Sequence, residues 1–303
     1  MISRQISRFF HNTSLLWNVN KSDLAKLRKK TGYTFANCKK ALELNNNVEE
    51  AEKWLKEQAQ SLGWSKASKL EGRKTSQGLV GLLVKENRAV MLEINCETDF
   101  VARNKKFKSF VDLSVNSCFH EVSKINTGSE LKKVTVAGEE LKTLPTPEGK
   151  SLSDLSALTI SELGENINLR RAIYVTCPEG IQLASYAHPN NNNTTNVLTG
   201  KYGAIIAYVA DSYDAQRQEW AMQLCQHVVG MNPKTVGIMG EDEPAVDKDD
   251  ELTMIHQEFL LDPELTVSQF LANSGIKIVD FVRIECGEPL EAVEEPVPIK
   301  AVG

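Results

Sequence analysis

Asp99 and Phe100 lie within the run Glu93-Ile94-Asn95-Cys96-Glu97-Thr98-Asp99-Phe100-Val101-Ala102-Arg103. Val90, Leu92, Ile94 and Cys96 alternate with Met91, Glu93, Asn95 and Glu97, the period of a strand with one buried face. The turn that follows presents a carboxylate and a phenyl ring side by side. On the residues alone, Asp99 caps the next helix and Phe100 is core. That is not bond-making chemistry. The remaining reactive side chains point the same way. Cys96 or Cys225 with a histidine would make a nucleophile and base, but nothing local lowers a thiol pKa. The six cysteines lack the two- or three-residue spacing of a zinc knuckle or redox pair, and read as scattered buried thiols. There is no Gly-x-x-x-x-Gly-Lys phosphate loop, no His-Glu-x-x-His helix and no Gly-x-Ser-x-Gly elbow. The expectation is a protein without catalytic residues, metal or cofactor.

The elements that must hold this tip follow from periodicity. Gly78 to Glu97 reads as two strands joined at Glu86-Asn87. Asn104 caps a helix that lines up Phe107, Phe110, Val111, Ser114 and Cys118. A second unit repeats the order: strands Leu169 to Thr176, Gln182 to His188 and Tyr202 to Ala210, then a helix bearing Trp220, Ala221, Leu224 and Val228. Thr266 and Gln269 form a capping box, and Val282, Ile284 and Cys286 mark a closing strand. Upstream, Ser22 caps a helix bearing Leu24 and Leu27. Phe35, Cys38, Ala41 and Leu42 share a helical face, and Asn47 caps a third helix with Val48, Ala51 and Leu55. The fold class is α+β: a three-helix bundle, then two related α+β subdomains with antiparallel sheets.

Composition limits the function further. The apolar and charged fractions, 41% and 25%, are those of a globular protein, and the net charge of −5 disfavours nucleic acid as a partner. No apolar run is long enough to cross a bilayer. Residues 1–22 carry Arg4, Arg8 and Lys21 with no acid before Asp23, and Ile6, Phe9, Phe10 and Trp17 make them amphipathic, as in an organelle transit peptide. The expected organisation is a transit peptide over 1–20, a bundle over 21–58, a basic linker over 59–77, subdomains over 78–165 and 166–288, and a tail over 289–303.

Four stretches carry a resemblance. Thr98-Asp99-Phe100-Val101 is similar to the core of a signature of the elongation factor Ts family. Leu27-Arg28-Lys29-Lys30-Thr31-Gly32, with Cys38-Lys39-Lys40-Ala41-Leu42, resembles that family's N-terminal domain, which has a ubiquitin-associated-like fold. Gly164-Glu165-Asn166-Ile167-Asn168-Leu169-Arg170-Arg171 resembles a third family stretch, and Thr266 to Leu271 with Phe281 to Glu285 a fourth. The matches run in order from about Lys21 to about Glu288. The resemblance implies a guanine nucleotide exchange factor for mitochondrial elongation factor Tu, placed in the mitochondrial matrix. It implies that Asp99 and Phe100, flanked by Thr98 and Val101, insert near the partner's magnesium site, disturbing it and the phosphate loop. It also implies partner contacts at the turn around Thr31, Gly32 and Phe35, and at Tyr186 and His188. Bacterial members dimerise through a helical hairpin. Here 236–256 is short, acidic and broken by Pro244, so a one-to-one complex with elongation factor Tu is expected, with no homodimer. The competing reading, a ubiquitin-like-binding adaptor, rests on the three-helix bundle alone.

Overall fold

The computed structural model describes residues 20–31, 35–45, 47–189 and 195–290. The transit segment over 1–20 except Asn20, Gly32, most of the Asn-rich loop and most of the C-terminal tail lie outside the described residues. The chain forms two compact units, one up to Leu62 and one from Gly63 onward.

In the first unit, α1 (Lys21–Thr31), α2 (Phe35–Leu44) and the first part of α3 (Val48–Leu70) enclose a small core of Leu24, Leu27, Cys38, Ala41, Ala51 and Leu55. Asn47 caps α3, its side chain accepting the Glu50 N–H at 2.7 Å. The cap of α1 falls two residues earlier than expected. Asn20 accepts the Ser22 N–H at 2.9 Å, so Ser22 lies inside the helix. Residues 59–70, expected to begin a linker with some helix, are helical and continue α3 without a break, because no Gly-Pro or Asn-Gly pair stops the helix there.

The second unit begins with the last turns of α3. Then come β1 (Gln77–Lys85), β2 (Arg88–Cys96), α4 (Asp99–Arg103), α5 (Lys105–Ser123), β3 (Lys132–Ala137), α6 (Gly138–Thr143), α7 (Leu152–Leu163), β4 (Ile167–Thr176), β5 (Gln182–His188), β6 (Leu198–Gly200) and β7 (Tyr202–Ala210). The chain closes with α8 (Ala215–Met231), the two-stranded pair β8 (Glu258–Phe259) and β9 (Asp262–Thr266), α9 (Val267–Ser274) and β10 (Ile276–Glu285). One sheet has the order β3-β4-β2-β1-β6 and the other β10-β7-β5, with every pairing antiparallel. The sheets pack face to face through Val80, Leu82, Met91, Ala187, Ile205 and Ile284. On the outer face of the first, Leu83, Val90, Leu92 and Ile94 meet Phe107, Phe110, Val111 and Val115 of α5. On the outer face of the second, Ile206 and Tyr208 meet Leu224, Cys225 and Val228 of α8. Gly81 permits the close seating of α5, since a Cβ there would lie 2.6 Å from the Val115 side chain. Asn104 caps α5 through the Lys106 N–H at 2.8 Å, and the Thr266–Gln269 capping box forms at α9, both as expected.

Two expectations are corrected. The strand at Leu169 to Thr176, assigned to the second subdomain, is β4 and lies in the first sheet, paired with β2 on one edge and β3 on the other. Alternation identifies a strand but not its neighbours, which depend on where the connecting helices pack. Likewise β2 has two buried faces rather than one. Glu93 and Asn95, alternating with its apolar residues, are fully enclosed between the sheets.

Candidate functional site

The Thr98–Val101 tip is where β2 leaves its sheet. Thr98 is the N-cap of α4, its hydroxyl accepting the Val101 N–H at 3.4 Å. Asp99 is therefore the first helical residue and not the cap. Its carboxylate pairs with Arg103 at 2.8 Å on the exposed face, an i,i+4 contact of small energetic weight. Val101 and Ala102 point into the core beside Phe107 and Phe110 and anchor the helix. Phe100 points the other way and is 80% exposed. Neither bland assignment, Asp99 as cap or Phe100 as core, describes the folded chain. A phenyl ring on this short, anchored helix costs about 2 kcal/mol relative to its burial.

Behind the tip, two carboxylates cross between β2 and the α7–β4 turn. Glu165 accepts the Thr98 N–H at 3.0 Å and its hydroxyl at 2.7 Å. Glu97 accepts the Asn166 N–H at 2.7 Å and lies 3.5 Å from Arg73. Gly164, in the left-handed region at φ 84°, ends α7 and makes the turn that delivers Glu165. The contacts of Glu165 are not legible in the Gly164-to-Arg171 stretch, because they depend on the ends of β2 and β4 facing one another.

Deeper in β2, Glu93 organises a charged network. Its two oxygens accept from Arg170 at 2.7 Å, Arg171 at 2.8 Å, Asn95 at 3.0 Å and the Gly287 N–H at 2.7 Å. Arg171 reaches on to Glu288 at 2.6 Å, and Arg170 donates to the Glu288 carbonyl. Burial works to raise the Glu93 pKa, but the Gly287 N–H, Arg170, Asn95 and Arg171 outweigh it and hold the carboxyl below its ordinary value.

The other predicted residues lie elsewhere. Thr31 ends α1, its hydroxyl donating to the Leu27 carbonyl at 2.7 Å, and Phe35 opens α2 at 54% exposure, outside the bundle core. Tyr186 and His188 share one face of β5, with the hydroxyl 3.1 Å from His188 Nδ1, and the His188 ring lies 6.4 Å from Tyr202. They belong to the second sheet, whereas the Phe100 tip leaves the first. All six thiols are buried, and desolvation disfavours the thiolate at Cys96, Cys118, Cys177, Cys225 and Cys286. Burial pushes Cys96 up to about 12, and Cys225, fully enclosed behind β7, is raised further. No group of three His, Cys, Asp or Glu side chains among the described residues could hold a metal ion.

Two family models match the chain. The model described as "Elongation factor Ts, mitochondrial, N-terminal" matches residues 7–65, and the model described as "Elongation factor TS" matches residues 97–252. The chain is 49% identical to the mitochondrial elongation factor Ts of Aedes aegypti, over 98% of this chain and 99% of that one. It is 46% identical to that of Drosophila melanogaster, over 98% and 97%, and 44% identical to that of Mus musculus, over 91% and 86%.

Proposed function

The chain belongs to the elongation factor Ts family, in its mitochondrial form, and from that premise we propose that it promotes GDP release from mitochondrial elongation factor Tu without covalent chemistry of its own. The working part is the Asp99–Phe100 tip, inserted beside the magnesium and phosphate site of the partner. A nucleoside diphosphate is held by backbone N–H groups and Mg²⁺ in a tight cradle, and a small displacement forfeits several charge-assisted contacts together. Burying the Phe100 ring in the partner supplies about 1.5–3 kcal/mol toward that displacement. Coupling is reciprocal: a factor that weakens GDP binding is itself expelled by GDP. The complex is one-to-one. Phe35 with the Thr31 turn, and Tyr186 with His188, give further contacts that hold the partner while the tip acts.

The observation that carries this reading is the exposure of Phe100 on a helix whose opposite side is anchored in the core. Stopped-flow release of a fluorescent GDP analogue, at saturating factor, tests it. There the binding loss is hidden and the exchange step is read alone. Phe100→Ala should slow release by about 30-fold, the scale of one interface hot spot. A folded Asp99→Ala, Phe100→Ala variant that releases GDP at the wild-type rate would overturn the assignment. Titration of the nucleotide-free partner with the factor should reach its end point at one factor per partner.

A further inference from the structure

The Phe100 tip does not hold itself in place. α4 has five residues, too few to be stable alone, and its tip ring makes no use of the core. Its orientation depends on Val101 and Ala102 below and on whatever fixes Thr98 at its start.

Thr98 is fixed by a continuation of the β-ladder in side chains. The β2–β4 register pairs Cys96 with Ile167 as its last rung. Extended by the same antiparallel step, Glu97 faces Asn166 and Thr98 faces Glu165. The backbones have parted there, but the hydrogen bonds have not. The Glu97 carboxylate takes the Asn166 N–H, and the Glu165 carboxylate takes both the N–H and the hydroxyl of Thr98. Each strand end thus lends the other a carboxylate where its carbonyls no longer reach. The hydroxyl contact also sets polarity. With its proton given to Glu165, the Thr98 oxygen turns its lone pairs to the Val101 N–H, so one carboxylate orients the cap of α4 as well as the strand end.

We propose that Glu165 is a positioning residue for nucleotide exchange, holding the Phe100 ring in its inserting orientation through Thr98. It touches neither the ring nor the partner's nucleotide. This rests on the exchange reading above. Preorganisation matters because a tip that must be ordered during insertion spends interaction energy on its own ordering, leaving less for displacement of the phosphate site. The defect should therefore fall on the maximal rate of GDP release more than on the concentration of factor needed to reach it, since the other contact surfaces are untouched.

The test uses the full chain and elongation factor Tu loaded with a fluorescent GDP analogue, with Glu165→Ala, Glu165→Gln, Phe100→Ala and the Glu165→Ala, Phe100→Ala double variant. Glu165→Ala should lower the maximal release rate about tenfold, the scale of one charge-assisted hydrogen bond, with the half-saturating concentration changed less than about threefold. Glu165→Gln keeps one acceptor oxygen for Thr98 and should recover part of the rate. In free protein, the Thr98 and Val101 amides of Glu165→Ala should exchange with deuterium about tenfold faster or more, while Leu92 and Ile94 in mid-strand are unchanged. In the Phe100→Ala background, adding Glu165→Ala should lower the rate no further. The proposal is overturned by amides as protected as in wild type, by a Glu165→Ala rate within twofold of wild type, or by an equal further loss in the double variant. Phe100→Ala at the wild-type rate removes the exchange reading itself, whereas an impaired Phe100→Ala beside an unimpaired Glu165→Ala removes only the role of Glu165.

Discussion

Glu93 and Phe100 are seven residues apart on the same strand and its exit, and each is where the other's chemistry belongs. Glu93 is a carboxylate with no exposure at all, and Phe100 is a phenyl ring with 80% exposure. The difference lies in what surrounds each anomaly. Around Glu93 the chain has built a complete answer, with two arginines, an asparagine and a backbone N–H on the two oxygens. Around Phe100 it has built none on the ring side, only an anchor beneath and the Glu165 carboxylate behind. A violated burial rule that is compensated inside the molecule is structural. One left uncompensated points outward to a partner.

The comparison breaks most sharply at Glu93. Glu93→Ala leaves Arg170 and Arg171 without their buried carboxylate and should cost about 3–5 kcal/mol of stability, read as a lower urea midpoint. Exchange activity of whatever remains folded at low temperature should be little changed. A variant that melts like wild type would show that the network is ornamental.

His227 sharpens the contrast from the second core. It is enclosed between α8 and the β8–β9 pair, accepting the Leu260 N–H on Nδ1 at 3.2 Å and facing Gln257 across 3.0 Å with Nε2. Burial pushes its pKa down to about 4, with the Gln257 contact opposing. The folded state thus binds its proton later than the unfolded chain. Stability is whole above about pH 6.5, falls as the pH drops from there toward 4, and loses up to about 3 kcal/mol by the lower end. Glu93 acts in the same direction but lower. Its depressed carboxyl contributes fully above the ordinary carboxylate value and loses that contribution as the pH falls from there through the lower value of the folded state. Urea midpoints at pH 7, 6 and 5 should therefore fall for wild type and fall less for His227→Gln. Parallel slopes for the two proteins would refute the assignment.

The smallest effect belongs to the residue with the largest functional one. Phe100→Ala should change stability by less than about 0.5 kcal/mol, as for an exposed side chain away from caps and cores, even as exchange slows. A midpoint shift like that of a core deletion would mean the ring packs on its own protein.

Signals satisfied by neighbours in sequence are legible to within a residue or two, as the caps that moved from Ser22 to Asn20 and from Asp99 to Thr98 show. The Asn104 cap, the Asn47 cap, the Thr266–Gln269 box and the helices with one apolar stripe all formed as expected, because capping and amphipathicity are satisfied within one or two turns. Residues 124–143 carry little signal. β3 shows a single buried position, Val136, and α6 is six residues long, so neither carries a usable period. The charged network was opaque for another reason. Glu93 alternates with apolar residues as a solvent-facing side chain would, and only a second sheet packed on that face turns it into a buried one.

By itself the sequence determined the family, through four ordered motifs, and with it the α+β class and the candidate tip at Thr98-Asp99-Phe100-Val101. Tertiary structure decided which of those four faces outward. Thr98 took the cap, Val101 went to the core, and Phe100 was left in solvent. It also decided that β4 pairs with β2, and so that Glu165, 67 residues from Thr98 in sequence, stands within hydrogen-bond distance of it. Strand register is a long-range choice set by how helices and sheets pack. No period within either segment encodes it.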